Sequence, residues 1–529
     1  MKSNKVEAIL EHWGPSLSST LAERLVKTYG VSAPNARQLI QRSSAKRLKG
    51  ISFPHRTSFV YLTSQYGSQN FFDSLIRALK ATNHACGYGL AALQDRGGLL
   101  PIDHFKIACG APKLQSKQLN ADRVAEQLIA ANLIKRVDMA GIGECVALAS
   151  FSAEDEQEAF VNLNARLKVE AMALNAVREW IRRLGLGSWN HVQIRGEGAI
   201  PSAGPNYWDL SAPSYLYPLL GSGVAGKSTK PKPGSFVCDV YLGNRLTADA
   251  AKAFIKKCLN VRGFNKVAPV LQMFLADSYE KEAVRAIRGH GAIAATLDSL
   301  LGTDVAHGLH ELASVLKATA INLGTPEKID VLFNALGKIE GAEGTLRGCL
   351  FEYLCGHLAD ETYRKPWISI NKLVRGSGGS RAEVDVFVEV GSSEVVFIEC
   401  KGHLPTGQVD DAEVEKWLKK RIPVLRDFAK HDEDYARLKQ TFELWTNATI
   451  SPASKALIKA ENEKTDRYTI AYREGDELLK MISDSGNSSL LKTYKQHFSN
   501  HPLAVAAKKK RTVSVAAGER ALKTAPPAT

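Results

Sequence analysis

The chain is predicted to be a multidomain protein of the α/β class, and three observations lead to this prediction. Its 529 residues are too many for one hydrophobic core. Helix–turn–helix spacing occurs near the N-terminus, and two strand-like runs rich in Val, Ile and Phe flank a turn in the C-terminal half. The hydrophobic fraction of 44% is ordinary for a globular protein, so most of the chain is expected to fold.

The charge balance favours a polyanionic partner. Lys and Arg number 69 and Asp and Glu 55, which gives a net charge of +14, and nucleic acid is the first candidate partner. No apolar run approaches the ~20 residues that span a bilayer, and residues 1–7 lack the apolar core of a signal peptide. The eight cysteines contain no Cys-x-x-Cys pair, so we expect buried thiols in a reducing cytoplasm.

Residues 1–66 are predicted to bind DNA. A first helix is marked by Leu21, Ala22, Leu25 and Val26, with Gly30 suited to its C-terminal cap and Ser32 to the N-cap of a second helix. The second helix turns outward five side chains able to contact base edges or phosphates: Asn35, Arg37, Gln38, Gln41 and Arg42. A basic segment that ends at Arg56 and a β-like run over residues 57–63 follow, and together they resemble the wing of a winged helix. Many winged helices instead mediate protein contacts.

A second winged-helix-like unit is expected over residues 67–150. A helix over residues 70–81, a helix over residues 121–131 capped by Asn120, and a small hairpin of residues 134–137 and 145–148 would form it. The outward residues of the helix over residues 121–131 are less basic than those of the corresponding helix in residues 1–66: Asp122, Arg123, Glu126 and Gln127. A packing or dimerisation role therefore competes with DNA binding here.

Residues 151–302 are predicted to form a degenerate copy of the α/β domain that follows. A long helix over residues 163–184 and a strand over residues 235–242 precede a strand–helix pair over residues 270–287. This pair parallels residues 441–447 and 452–458 of the C-terminal domain in order and spacing. If Asp239 takes the place of Glu399, then Tyr241 takes that of Lys401, and no catalysis is expected. An unrelated α/β domain is the alternative interpretation.

A phosphate-loop pattern within this region is predicted to be a false match. Residues 221–228 fit G-x-x-x-x-G-K-[ST], but Pro231 and Pro233 prevent the helix that the motif needs after its lysine. A loop that touches a DNA backbone through Lys227, Lys230 and Lys232 is the preferred interpretation. Nucleotide binding by Lys227 is the weaker one.

The chemistry is expected in residues 346–485, preceded by a helical bridge over residues 303–345. Runs over residues 383–390 and 395–401 are typical of strands joined by a turn at residues 391–393. Asp385 lies in the first run, and Glu399 and Lys401 share a face near the end of the second. Carboxylates suit a hard divalent cation, and a lysine can polarise a phosphate or position water. A solvated sheet face with an incidental ion pair is the alternative.

These residues resemble a known nuclease family. Asp385 followed fourteen positions later by Glu399-Cys400-Lys401 resembles the Asp…Glu-x-Lys signature of the PD-(D/E)XK nuclease superfamily, and the flanking sequence is most similar to Mrr-type restriction endonucleases. A preceding helix around Glu352, and residues 442–447 with the helix after them, match elements of that family. Val384 stands where the superfamily often has proline.

The resemblance implies a restriction-endonuclease-like α/β/α domain and roles for individual residues. Asp385, Glu399 and the Cys400 carbonyl would bind Mg²⁺, or Mn²⁺ in its place, and Glu352 would add a further acidic group. Lys401 would orient or activate the attacking water. Glu383 lies on the same face as Asp385 by strand alternation and is a rival ligand. Lys416, and Lys419 on the same predicted helix over residues 412–425, would contact phosphate, unless that face is simply solvated.

The sequence thus predicts a metal-dependent DNA endonuclease of restriction or anti-phage defence type. A non-catalytic DNA-binding or scaffold subunit of a defence or repair complex is the alternative. Duplex DNA is the expected partner, and a double-strand cut calls for two active sites, which favours a homodimer or a partner subunit. The basic residues 501–529 are expected to be disordered, and their lysine cluster suits a DNA tether or a nuclear address equally.

Overall fold

The structure is a computed structural model that describes residues 5–114, 118–221, 232–264, 267–317, 326–363, 366–404 and 407–499. The chain divides into two compact units, Met1–Gly302 and Thr303–Thr529. Most of the phosphate-loop pattern, including Lys227, lies outside the described residues, as do Lys230 and the basic tail. None of the helices in the described ranges is long and apolar enough to cross a membrane.

The first segment of the N-terminal unit combines a small sheet with three helices. In chain order its elements are α1 (Lys5–Trp13), β1 (Ser16–Leu17), α2 (Ser18–Tyr29), α3 (Ala33–Arg42), β2 (Lys46–Arg47) and β3 (Phe59–Tyr61). The strands lie in the antiparallel order β1-β3-β2. Gly30 ends α2 with a φ of 64°, the left-handed conformation that its predicted capping role requires. Leu21, Ala22 and Leu25 are buried as expected, whereas Val26, which was expected on the same face, is 37% exposed.

The second segment repeats this order after one extra helix. Its elements are α4 (Gln69–Ala81), α5 (Ala85–Gln94), β4 (Leu99–Pro101), α6 (Ile102–Ala108), α7 (Ala121–Ala130), β5 (Ile134–Met139) and β6 (Gly143–Leu148). The strand order β4-β6-β5 matches that of the first segment. The predicted cap of α7 is confirmed, because the Asn120 side chain accepts a hydrogen bond from the Arg123 amide at 2.8 Å.

The rest of the N-terminal unit is a five-stranded sheet with helices, and a separate two-stranded sheet formed by its second and third strands. It comprises α8 (Glu156–Arg183), β7 (Gln193–Ile194), β8 (Ser202–Ala203), β9 (Asn206–Tyr207), β10 (Leu210–Ser214), β11 (Gly234–Leu246), α9 (Ala251–Arg262), β12 (Val270–Tyr279), α10 (Lys281–Gly289), β13 (Ile293–Thr296) and α11 (Leu297–Leu301). The order is β13-β12-β11-β10-β7, with β7, β10 and β11 antiparallel and β11, β12 and β13 parallel. We call this the middle sheet.

The C-terminal unit opens with α12 (Thr303–Lys317), α13 (Glu327–Leu336) and α14 (Glu343–Thr362). A second five-stranded sheet follows, which we call the C-terminal sheet. In chain order its strands and the helices between and after them are β14 (Trp367–Arg375), β15 (Arg381–Val390), β16 (Glu394–Lys401), α15 (Asp411–Lys416), α16 (Ile422–His431), β17 (Lys439–Thr446), α17 (Pro452–Asn462), β18 (Thr469–Arg473), α18 (Gly475–Asp484) and α19 (Ser488–Tyr494). Two π-helical turns, Trp417–Arg421 and Lys495–Ser499, adjoin α15 and α19.

The predicted single helix over residues 412–425 is therefore wrong in one respect. It is interrupted by the π-helical turn Trp417–Arg421, which joins α15 to α16. Pro423 has no amide hydrogen to donate to the carbonyl four residues earlier, so a regular α-helix cannot pass through this point. The turn changes which side chains of the basic run point toward the sheet.

The two sheets have the same topology. In the C-terminal sheet the order is β14-β15-β16-β17-β18, with the first three strands antiparallel and the last three parallel. Each sheet follows a long helix, α8 or α14, and has one helical crossover between its third and fourth strands, α9 in one and α15–α16 in the other. The internal similarity expected from the order of elements is thus present in the arrangement of the strands.

Candidate functional site

Two carboxylates meet where β15 and β16 pair. The antiparallel register joins Val386 to Ile398, so the next residues along the two strands, Asp385 and Glu399, lie beside each other at the end of the ladder. Both are buried. Val384 and Val386, on either side of Asp385 along β15, are both buried, and this apolar packing fixes the strand and presents the carboxylate from a rigid position.

A backbone amide holds the Asp385 carboxylate in place, but the surroundings disfavour its ionised form. Its Oδ2 accepts a hydrogen bond from the Cys400 amide at 2.7 Å. Burial raises the pKa of this carboxyl well above its ordinary value, and the negative charges of Glu399, Glu352 and Glu383 raise it further. A nearby cation is what such a group requires if it is to remain ionised.

Two cationic side chains contact Glu399. The Lys401 ammonium lies 3.0 Å from its Oε1, and the Arg421 guanidinium contacts both carboxylate oxygens, at 2.5 Å for Oε2. Burial lowers the pKa of Lys401 and of Arg421, but the charges of Glu399 and Asp385 outweigh burial and raise both pKa values above their ordinary range. Both groups are therefore firmly cationic at neutral pH.

Glu352 and Glu383 lie close enough for their charges to act on Asp385. Glu352 is half-buried on α14, and Glu383 is half-buried two residues before Asp385 on β15. Cys400 is buried with a thiol whose pKa burial raises well above its ordinary value, so only its carbonyl oxygen suits a hard cation. The structure thus brings together Asp385, Glu399, Lys401, Glu352 and Cys400.

The acidic pair fits a hydrated divalent cation better than a closed metal cage. In the described ranges no group of three or more His, Cys, Asp or Glu side chains is arranged to hold a metal ion. Mg²⁺ commonly uses only one or two protein carboxylates and keeps several waters, and Asp385 and Glu399 offer two carboxylates of the kind that it takes. Solvent reaches the site only in part, since the Lys401 and Arg421 side chains are each 22% exposed.

Arg421 is a site residue that the sequence interpretation missed. Lys416 and Lys419 were predicted to contact phosphate; both are exposed, Lys419 pairs with Glu415 at 2.5 Å, and their role stays a prediction. Arg421 ends the π-helical turn and instead points toward Glu399. The basic run Lys419-Lys420-Arg421 was the one available signal, and α-helical spacing could not choose among its members.

The predicted DNA-contacting residues of the first segment are all exposed, but only some lie together. Arg37, Gln41 and Arg56 line an open groove of about 930 Å³ between α2, α3 and residues 55–58, with Lys27 and Arg47 also on its wall. Asn35, Gln38 and Arg42 are exposed outside that groove. Most of the charged residues on the groove wall are thus basic.

The corresponding helix of the second segment is turned partly toward protein. The Gln127 side chain on α7 donates to the Gly50 carbonyl at 3.0 Å, and Asp122 pairs with Lys106 at 3.0 Å. Arg123 remains exposed. These contacts favour the packing role that was one of the two expectations for this helix.

Comparisons with known proteins add little to this geometry. No protein-family model matches the chain, and no curated protein sequence matches it. Among solved structures, one similarity is to the restriction endonuclease FokI bound to DNA, with 11% sequence identity and a TM-score of 0.14. It covers 54% of this chain and 60% of that one. At such values the similarity carries no argument, and a function has to be inferred from the site itself.

Proposed function

We propose that this chain is a metal-dependent DNA endonuclease of the PD-(D/E)XK type, Mrr-like and active in restriction or anti-phage defence. The observation that carries the proposal is the meeting of Asp385, Glu399 and Lys401 at the end of one strand pair. Their order in the sequence resembles the nuclease signature, and the burial of the two acids in an apolar sheet argues against an incidental surface ion pair.

The residues divide the work of phosphodiester hydrolysis. Asp385 and Glu399, with the Cys400 carbonyl, would hold Mg²⁺ or Mn²⁺, and Glu352 would bind the ion directly or through water. The bound ion supplies Lewis acidity and a site at which water loses a proton more easily. Lys401 carries a positive charge beside Glu399, where it can orient the attacking water and stabilise negative charge that develops on the phosphate.

The first segment supplies the proposed DNA contacts. If its helices and small sheet act as a winged helix, α3 would enter the major groove, and the basic groove wall would face the phosphates. The net charge of +14 supports a polyanionic partner for the whole chain. Lys416, exposed on α15, is a further candidate for phosphate contact.

Cleavage of supercoiled plasmid tests the proposal directly. Wild type and Lys401→Ala would be compared with Mg²⁺, Mn²⁺ or EDTA. Loss of one charge-stabilising group costs roughly 10²- to 10³-fold in rate, so nicking should nearly vanish in the variant while DNA affinity is retained. Lys439→Ala is the matched control, because Lys439 pairs with Glu394 at the opposite end of the same strands.

A non-catalytic DNA-binding or scaffold subunit is the second candidate. It is favoured by the ion pairs that Arg421 and Lys401 form with Glu399, because a carboxylate engaged by two cations can serve structure alone. DNA binding without metal-dependent nicking, in wild type and Lys401→Ala alike, would support this candidate and refute the nuclease.

A further inference from the structure

The middle sheet contains acids at the same positions as the candidate site. Its β10–β11 register joins Leu210 to Cys238, so Asp209 and Asp239 lie beside each other at the end of the ladder. The Val240 amide donates to Asp209 Oδ2 at 2.7 Å, the same length as the equivalent bond in the C-terminal sheet. Two buried acids and one backbone hydrogen bond are therefore common to both sheets.

Buried cations neutralise these acids. Arg195 lies 2.6 Å from Asp209 Oδ1 and also pairs with Glu170, which projects from α8 as Glu352 does from α14. The Lys257 ammonium lies 2.5 Å from Asp239 Oδ2, and its side chain is only 1% exposed. Lys257 comes from α9, the crossover helix that corresponds to the segment carrying Arg421.

The second segment covers this cluster. Lys257 donates to the Ile107 carbonyl at 3.2 Å, and the Tyr241 hydroxyl donates to the Asp95 carbonyl at 3.4 Å. The Arg96 guanidinium lies 4.9 Å from the Tyr241 ring. Tyr241 stands two residues after Asp239, the place that Lys401 occupies relative to Glu399. The face that would have to admit a phosphate group is thus packed against α5, α6 and the residues beside them.

We propose that the middle sheet is a nuclease-type acidic site in which Arg195 and Lys257 take the place of a divalent cation, so that it binds no metal and fixes the second segment instead. The inference rests on the proposed function, because it takes the C-terminal sheet to carry a nuclease site. Within the described residues the chain would then have one hydrolytic site. A break in both DNA strands would require two copies of the chain.

Counting bound Mn²⁺ ions per chain tests the inference without relying on cleavage. The full chain would be titrated with Mn²⁺ and followed by electron paramagnetic resonance, as wild type, Asp385→Asn and Asp209→Asn. We expect one ion in wild type, none in Asp385→Asn and one in Asp209→Asn. Two ions in wild type, one of them lost in Asp209→Asn, would overturn the inference. Zero ions in wild type would support it for the middle sheet while refuting the metal site of the proposed function.

A double-mutant cycle tests whether Lys257 is the counterion of Asp239. Lys257→Met should lower the melting temperature by on the order of 10 °C, because it leaves a buried carboxylate without its partner. Lys257→Met combined with Asp239→Asn should regain much of that loss, and Lys252→Met serves as a control at an exposed pair of the same helix. If Lys257→Met does not fold but the double variant does, the same conclusion is supported. A Lys257→Met melting temperature within about 2 °C of wild type would contradict it.

Discussion

Replacement of Arg421 by Met should loosen the strand that carries Glu399. In the structure the guanidinium contacts both oxygens of this buried carboxylate, and Lys401 contacts one of them. Met fills a similar volume but carries no charge. The variant therefore removes one cation while leaving the packing of the crossover helix nearly intact.

The size of the effect follows from burial. Removal of one partner from a fully buried ion pair costs roughly 3–5 kcal/mol. Arg421 is 22% exposed and Lys401 still pairs with Glu399, so a smaller loss of about 2 kcal/mol is expected. A loss of about 2 kcal/mol raises the equilibrium constant for local opening of the strand about 30-fold.

Hydrogen exchange measured by mass spectrometry on the full chain reports this local loss. Amides of β16 should lose about 30-fold in protection in Arg421→Met, and Arg421→Lys should restore part of it because one ammonium cannot contact both oxygens equally well. Lys420→Met, an exposed neighbour in the same turn, is the control. Equal protection of β16 in Arg421→Met and Lys420→Met would refute the assignment of Arg421 to the site.

Four further predictions concern DNA contact, packing, thiol chemistry and the order of strand cuts. Arg37→Ala should weaken DNA binding and reduce the slope of log affinity against log salt by about 1, whereas Arg123→Ala on α7 should leave that slope unchanged in the same fluorescence-anisotropy titration. Gly402→Ala should lower the free energy of unfolding by about 1–3 kcal/mol in urea titrations, because the added Cβ would lie 2.6 Å from the Phe351 Cβ. The same variant should slow plasmid nicking. Nicking at the wild-type rate would show that this contact does not position Lys401. All eight cysteines are free and buried, and burial raises the pKa of Cys86 to about 12, so iodoacetamide at pH 8 should modify none of them until denaturant is added. If the chain has one hydrolytic site, open-circular plasmid should accumulate before linear DNA, and the yield of linear DNA should rise more steeply than linearly with protein concentration; linear DNA as the first product at limiting protein would contradict this.

Local patterns in the sequence were sufficient to predict most individual elements. The apolar runs around Asp385 and Glu399 predicted two adjacent strands, which the structure extends by two residues and one residue at their starts. Gly30 and Asn120 predicted a helix end and a helix start, because a left-handed residue and a short amide side chain satisfy terminal backbone groups. Such signals depend only on neighbours in the chain.

Ion-pair partners could not be predicted in the same way. Arg195 and Lys257 serve acids that are 14 and 18 residues away in the chain, and their pairing depends on how two strands and a crossover helix pack. Arg421 depends in addition on a π-helical turn, which shifts the helical phase of the basic run. Side chains whose role is set by such contacts become visible only once the sheet is assembled.

The hydrogen bond between the Cys400 amide and Asp385 also bears on ion selectivity. One carboxylate oxygen accepts this backbone hydrogen bond, so under the proposed function the other oxygen of Asp385 would be the freer donor to a cation. Ca²⁺ favours six to eight oxygen ligands and often takes both oxygens of a carboxylate, whereas Mg²⁺ accepts one oxygen and completes an octahedron with water. A single main-chain amide would thereby favour the smaller ion over the larger one.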